Sequence, residues 1–464
     1  MLVFLSLIIV GSNDFITPVP TGDWLGILYI RPITYRVYLT HSANASRLFI
    51  LNPKANEIPL DTLFFRNDSL YFSRGDFSST FAGLYKKSTN TIHGYWTDDA
   101  HKKHLVTFQP VNPDTLTGLH PRNTNTYLWK KPAQQTDGLK TCDLQDQNIN
   151  RTLLDSLTYS IMREKFPNIH SLLIARNNFL LYEEYFYGWK AADLWLIQSV
   201  TKSFTSALTG IALSRGEIKN LDEPICSYLT KYKDKVCNAQ NKDITIRQLL
   251  TMRTGLEWNE LEFDYYDKRN SAYQCAETPD PFDCLFSHRR INTEGTVFAY
   301  NSLNHSMMNM ILRKSTGLRN PKELTQRLLQ PLGIEKVNPG GEGFGVIGDI
   351  SITPRDMLKF GLLYLNDGQW NGQQVVPTTW VKESTAAKIQ IGPGEGYGYF
   401  WWIKQFMVNG KPVNCFYAWG YAGQYIFVVP DRQLVVAMTA TNWIMDEKKY
   451  AFDMMQEFVL PACE

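Results

Sequence analysis

"LIQSVTKSFTSALTGIAL", residues 196–213, opens a helix with a charge in the wrong place. Val200, Phe204, Leu208 and Ile211 recur at helical spacing, so an amphipathic helix is expected. Ser199 stands where an N-cap belongs. A capping box would carry Glu or Gln three residues on. Here that position is Lys202, a cation at the positive end of the helix macrodipole. One use accounts for it. Residues one turn apart share a face. The dipole and burial together disfavour the ammonium and lower its pKa. A neutral amine can then take the Ser199 Oγ proton and leave an alkoxide-like nucleophile. The same helix start offers the Ser199 N–H to an oxyanion. The bland alternative is a surface lysine beside a plain serine cap. S-x-x-K is a short motif, but Ser199 to Lys202 is its one occurrence in the chain.

Two further stretches supply context. "FAYNSLNHSMMNMILRKSTG" begins with Tyr300, turns at Asn301-Ser302 and continues as an apolar helix to Gly317. "AWGYAGQYIFVVPD" is a glycine-bounded entry into a strand, where small residues let a substrate lie along the edge. The N–H of Tyr421, after Gly420, is placed to be a second oxyanion donor.

The order S-x-x-K, then Y-x-[SN], then a Gly-rich strand resembles the serine β-lactamase and penicillin-binding-protein superfamily. More closely it resembles the class C β-lactamase-like serine hydrolases, a group with esterases, D-amino-acid peptidases and 6-aminohexanoate-dimer hydrolase. Stretches such as "ITIRQLLTMRTGLEW", "SITPRDMLKFGLLYLNDGQWNGQQVVPTTWV" and "GYAGQYIFVVPDRQLVVAMTA" carry the resemblance over nearly all of 150–460. It implies an α+β, β-lactamase/transpeptidase-like domain, an antiparallel sheet flanked by helices with a helical subdomain. It implies Ser199 as the acylated nucleophile and Lys202 as the group that takes or relays its proton. Tyr300 is implied as general base and then acid to the leaving group. The proton between Lys202 and Tyr300 belongs to a coupled pair. Ser302 takes the third motif position, often Asn in β-lactamases. The N–H groups of Ser199 and Tyr421 would form the oxyanion hole.

The family's K-T-G motif falls on Ala418-Trp419-Gly420, so the cation is lost. Losing a charge-assisted hydrogen bond to a substrate carboxylate costs ~1.5–3 kcal/mol. β-Lactam hydrolysis is therefore disfavoured as the main activity. Trp419, Tyr421 and Tyr417 would instead rim a cleft for an uncharged ester or amide, though Tyr417 and Trp419 suit sheet packing equally well. Several residues are discounted. Arg355-Asp356 reads as a structural ion pair after Pro354. Glu257 and Glu260, near Gly255, could line the cleft but read better as solvated loop acids, and His305 as a satisfied helix histidine.

The length of 464 residues calls for more than one core. Residues 21–112 hold successive short strand patterns and no helical one, an all-β barrel or sandwich domain with no chemistry in view. The Pro-, Thr- and Asn-rich tract 113–141 reads as a linker, and 142–464 as the hydrolase domain. Residues 1–14 resemble a truncated secretion signal, apolar but too short to span a bilayer. Asn177-Asn178 marks a hairpin turn, and a last amphipathic helix is expected from about Asp446 to Val459. A net charge of +2 without basic runs argues against nucleic acid. No cofactor motif or metal spacing is present, and no transmembrane stretch. Of seven cysteines, Cys226/Cys237 and Cys275/Cys284 could close local disulfides, Cys142/Cys463 could clip the domain's ends, and Cys415 is left over. That usage suits a periplasmic or secreted protein. Asn44, Asn67, Asn150 and Asn304 open N-x-S/T sequons.

The reading is thus a serine hydrolase acting on a small-molecule ester or amide by acyl-enzyme formation. A D-stereospecific peptidase or penicillin-recognising enzyme is the alternative of the same class. A non-catalytic ligand-binding or sensor protein with the same fold is the alternative of another class.

Overall fold

The computed structural model describes residues 19–464 apart from 31–32, 43–45, 52–55, 59, 61, 75–78, 99–100, 117–120, 123–126, 266, 293–294, 318–325, 339–349 and 443–448. The expected signal segment, 1–14, and the sequon at Asn44 lie outside the described residues. The chain divides into two compact units, residues 1–119 and 120–464, and the division falls inside the tract 113–141.

The described residues of the first unit form nine strands: β1 (Gly22–Ile30), β2 (Ile33–His41), β3 (Ser46–Ile50), β4 (Asn56–Ile58), β5 (Thr62–Arg66), β6 (Ser69–Arg74), β7 (Ser79–Lys86), β8 (Thr91–Thr97) and β9 (Lys103–Pro110). They form one antiparallel sheet in the order β4-β3-β2-β1-β9-β8-β7-β6-β5. Along β7 buried and exposed side chains alternate, as period-two geometry requires. Trp24, Val37, Leu48, Leu70, Phe81, Ile92 and Phe108, from seven strands, meet in one cluster. A single face can do that only if the sheet curls around it, which makes the unit barrel-like.

The second unit is α+β. Its sheet contains β10 (Lys140–Thr141), β11 (Ile169–Arg176), β12 (Phe179–Tyr185), β13 (Ile389–Gly392), β14 (Glu395–Tyr397), β15 (Trp402–Val408), β16 (Lys411–Gly420), β17 (Gln424–Val429) and β18 (Leu434–Ala440). The order is β10-β12-β11-β18-β17-β16-β15-β14-β13. The β11–β12 hairpin from the front of the domain pairs with the last strand, β18. Its turn residues Asn177 and Asn178 both take positive φ, at 50° and 66°, the twist-matched hairpin conformation. β17 and β18 are buried at every position. This differs from the first unit because helices cover the sheet. They include α1 (Arg151–Met162), α2 (Thr201–Ser214), α3 (Ser302–Thr316) and α4 (Pro354–Leu365). Among the described residues the last helical segment starts at Lys449.

Three expectations change. α2 is buried all round from Thr201 to Ala212, so it is a central helix and not an amphipathic one. Several of its polar side chains find partners inside: Ser203 Oγ donates to the Phe400 carbonyl at 2.8 Å, and Thr209 Oγ1 to the Thr205 carbonyl at 2.8 Å. Arg355 and Asp356 do not pair with each other. Arg355 reaches Glu183 at 2.5 Å and Asp137 at 2.9 Å, and Asp356 takes Lys359 at 2.9 Å. Successive helix residues point about 100° apart, which separates the two side chains. Finally, Cys226–Cys237 and Cys275–Cys284 are disulfides, but Cys142 and Cys463 are free and buried, as is Cys415. Asn304 is fully buried, which closes that sequon in the folded chain. Among the described residues no helix is long and apolar enough to cross a membrane.

Candidate active site

Ser199 is not the cap of α2. It sits in a 3₁₀ turn, Gln198–Val200, one turn ahead of the helix, and Val200 at the N-cap position makes no side-chain cap bond. Gln198 has φ of +51°, a left-handed conformation for a residue with a side chain. Such strain concentrates where a side chain must be held in one place. The Ser199 hydroxyl is thereby freed from capping, and Lys202 becomes the second residue of α2.

Lys202 is 4% exposed. Its Nζ lies 2.8 Å from Ser199 Oγ and 3.3 Å from Ser302 Oγ. It stands 5.1 Å from the centre of the Tyr300 ring. Tyr300 is buried, and its hydroxyl lies among Ser199 and Lys202. Burial pushes the Tyr300 phenol up from its ordinary value, opposed by the positive charge of Lys202 and reinforced by the negative charge of Glu260. The phenol is therefore neutral near pH 7, poised to donate.

β16 delivers the other wall. Gly420 ends it, and a Cβ there would run into the Ile197 carbonyl oxygen, with the Gln198 side chain 3.0 Å away. Only glycine lets the strand end approach the turn that holds Ser199, and Tyr421 is the next residue along the chain. Trp419 flanks Tyr300 at 6.4 Å between ring centres and crosses Trp402 edge-on at 5.4 Å. Trp402 stacks on Tyr300 at 5.6 Å. Tyr421 meets Tyr265 at 4.8 Å. Tyr417 is not on this rim. It is buried against Phe427 and Phe452, at 5.6 and 5.5 Å, because residues of β16 two apart share a face but lie at different depths.

Glu260 overturns its reading as a solvated acid. It is 1% exposed. Oε2 accepts from Trp258 Nε1 at 3.0 Å and from the Ser302 N–H at 2.8 Å. Oε1 accepts from the Tyr265 hydroxyl at 3.0 Å and from Ser302 Oγ at 2.5 Å. The carboxylate thus sits at the start of α3, where the dipole favours an anion. No local periodicity marks it in "TGLEWNELEFDYYD". Only the fold brings residues 258–265 against Ser302. Glu257 does stay at the surface, 3.5 Å from Arg289. His305 is buried and bonds Thr205 Oγ1 at 2.8 Å. Burial, then the Lys202 charge, hold it well below its ordinary value, hence neutral.

Among the described residues one group has metal-ligand proximity, Cys275, Cys284 and His288. Its two sulfurs are bonded to each other, so it offers no thiolates.

A family model described as Beta-lactamase matches residues 170–453. The 6-aminohexanoate-dimer hydrolase of Paenarthrobacter ureafaciens is 26% identical over 292 residues, 59% of this chain and 72% of that one. Two solved structures share the fold. EstCE1, a hydrolase with promiscuous acyltransferase activity, superposes with a TM-score of 0.54 at 15% identity, covering 69% of this chain and 100% of its own. A D-stereospecific amidohydrolase from Streptomyces gives 0.52 at 18% identity, covering 66% and 98%.

Proposed function

We propose that this chain, which belongs to the beta-lactamase family, hydrolyses a small ester or amide through a Ser199 acyl-enzyme. The observation that carries the reading is the 2.8 Å contact between Lys202 Nζ and Ser199 Oγ, inside a site where the lysine is buried. In acylation Ser199 Oγ bonds to the substrate carbonyl carbon and its proton passes to Lys202 Nζ. Tyr300, a neutral phenol, protonates the departing alcohol or amine and recovers a proton from Lys202. Water then repeats the sequence with Ser199 as leaving group. The N–H groups of Ser199 and Tyr421 stabilise the tetrahedral oxyanion.

Ala418 in place of a cation, and the Trp419, Tyr421 and Tyr265 rings, support a substrate without a carboxylate at that position. The Paenarthrobacter relative's name, a hydrolase of a 6-aminohexanoate dimer, supports an amide; the fold is equally compatible with an ester. The two disulfides suit an oxidising compartment, so export to the periplasm or the medium is part of the reading.

The test is a panel of nitrophenyl ester, linear amide, lactam and D-Ala-D-Ala peptide, run beside Ser199→Ala with a covalent serine probe and mass spectrometry. Probe mass on Ser199 together with ester or amide turnover supports the hydrolase. Stable labelling without turnover favours a sensor, and release of D-Ala favours the peptidase.

A further inference from the structure

A carboxylate that is 1% exposed needs its oxygens satisfied by hydrogen-bond donors. All four contacts of Glu260 described above are donors, the set that suits the acceptor-only carboxylate. They come from neutral groups. The amine that takes the Ser199 proton lies one hydroxyl further on: Ser302 Oγ is 2.5 Å from Glu260 Oε1 and 3.3 Å from Lys202 Nζ.

We propose that Glu260 is a positioning residue for the acyl-transfer step, acting on Lys202 through the Ser302 hydroxyl. The inference rests on the hydrolase reading. A serine hydroxyl has one proton, and Ser302 gives it to Glu260. Toward Lys202 it presents lone pairs only, so Lys202 must donate an N–H there. A neutral amine has two N–H bonds and one lone pair. Spending one N–H on Ser302 helps turn the lone pair toward Ser199 Oγ. As the Ser199 O–H breaks and the new N–H forms, positive charge develops on Nζ. Glu260 stabilises that charge from a fixed position, as preorganised groups do.

The other titratable groups facing this pair carry no net charge near neutrality. Tyr300, Tyr265 and Tyr397 are all pushed up, burial first, with the Glu260 charge adding to each. His305 is held neutral. Tyr421 packs on Tyr265. The charge that develops on Lys202 Nζ is therefore answered by Glu260, with neutral partners between them.

The experiment compares pH profiles of kcat/KM on a nitrophenyl ester for the wild type, Glu260→Gln, Glu260→Asp and Ser302→Ala. Without the negative charge the ammonium of Lys202 is less favoured, so the acidic limb should move to lower pH by about one unit. kcat should fall about tenfold to hundredfold, with KM changed little. Ser302→Ala should move the limb in the same direction, and Glu260→Asp should restore part of the rate. Ser302→Ala removes only one oxygen and carries the test if Glu260→Gln fails to fold. An acidic limb that stays put in these variants overturns the inference while the wild type still labels and turns over. Absence of Ser199 labelling in the wild type overturns the hydrolase reading, and this inference with it.

Discussion

Two lysines in the second unit are equally hidden and differently used. Lys202 in α2 is 4% exposed and Lys359 in α4 is 2% exposed. Lys359 meets a carboxylate directly, Asp356 Oδ1 at 2.9 Å, one turn back on its own helix. Asp356 is in turn held by Thr353 at 2.7 Å. That is a closed pair: charge meets charge and nothing is left to react. Lys202 meets the Ser199 and Ser302 hydroxyls and the Tyr300 ring, and Glu260 is reached only through Ser302. A buried lysine becomes useful when its anion is near enough to steady the ammonium but does not occupy the nitrogen.

The largest expected effect separates the two directly. Lys202→Met should lower kcat/KM by about 10⁴-fold or more and leave the melting temperature close to wild type. Lys359→Met should do the reverse. It strands the buried Asp356 carboxylate and costs about 3–5 kcal/mol, read as a lower denaturation midpoint, while the folded fraction keeps its turnover. If Lys202→Met unfolds the chain and Lys359→Met abolishes turnover in folded protein, the contrast is wrong.

Tyr300→Phe sharpens the catalytic half. On the proposed mechanism it removes the proton donor to the leaving group and should slow amide turnover by about 10²–10⁴-fold. An activated ester, whose leaving group needs no proton, should lose much less. Equal losses on both substrates would assign the phenol another task. Gly420→Ala tests the wall beside Ser199. Its Cβ must displace the Ile197 carbonyl, so kcat should drop while most of the stability, measured by denaturant titration, remains.

The smallest effect is a pH slope. His305 is neutral in the native state, held well below the 6.5 of an exposed histidine by burial and by Lys202. Below about pH 6.5 the unfolded chain takes a proton that the native chain refuses. Stability therefore falls with falling pH from that point, by up to about 1.4 kcal/mol per pH unit for one proton. His305→Gln should flatten that slope in melting scans. A slope unchanged by the substitution would place the titrating group elsewhere.

How much of this was legible without a fold depends on whether the signal is local. The strand alternation of the first unit, the Asn177-Asn178 turn and the S-x-x-K spacing are properties of neighbouring residues, and each reads directly from the chain. The two short-range disulfides are only one of the pairings that the spacing allows, and the fold selects them. The misreadings share one cause. Ser199 looked like a cap because its own neighbourhood permits one; the Gln198 backbone decides otherwise. α2 looked one-sided because its serines and threonines look polar, and the partners that Ser203 and Thr205 find on distant segments cannot be read from the helix itself. Arg355-Asp356 looked paired because the residues are adjacent.

The sequence by itself determined the family, the order of the two units and the side chains able to do acyl chemistry, because motif spacing and hydrophobic period are set by the covalent chain. Tertiary structure alone decided which charge answers Lys202. Glu260 lies 58 residues from it in sequence and is brought near only by Ser302 at the start of α3. Electrostatic coupling in a buried site depends on distance in space and on the exclusion of water, and neither is written in the order of residues.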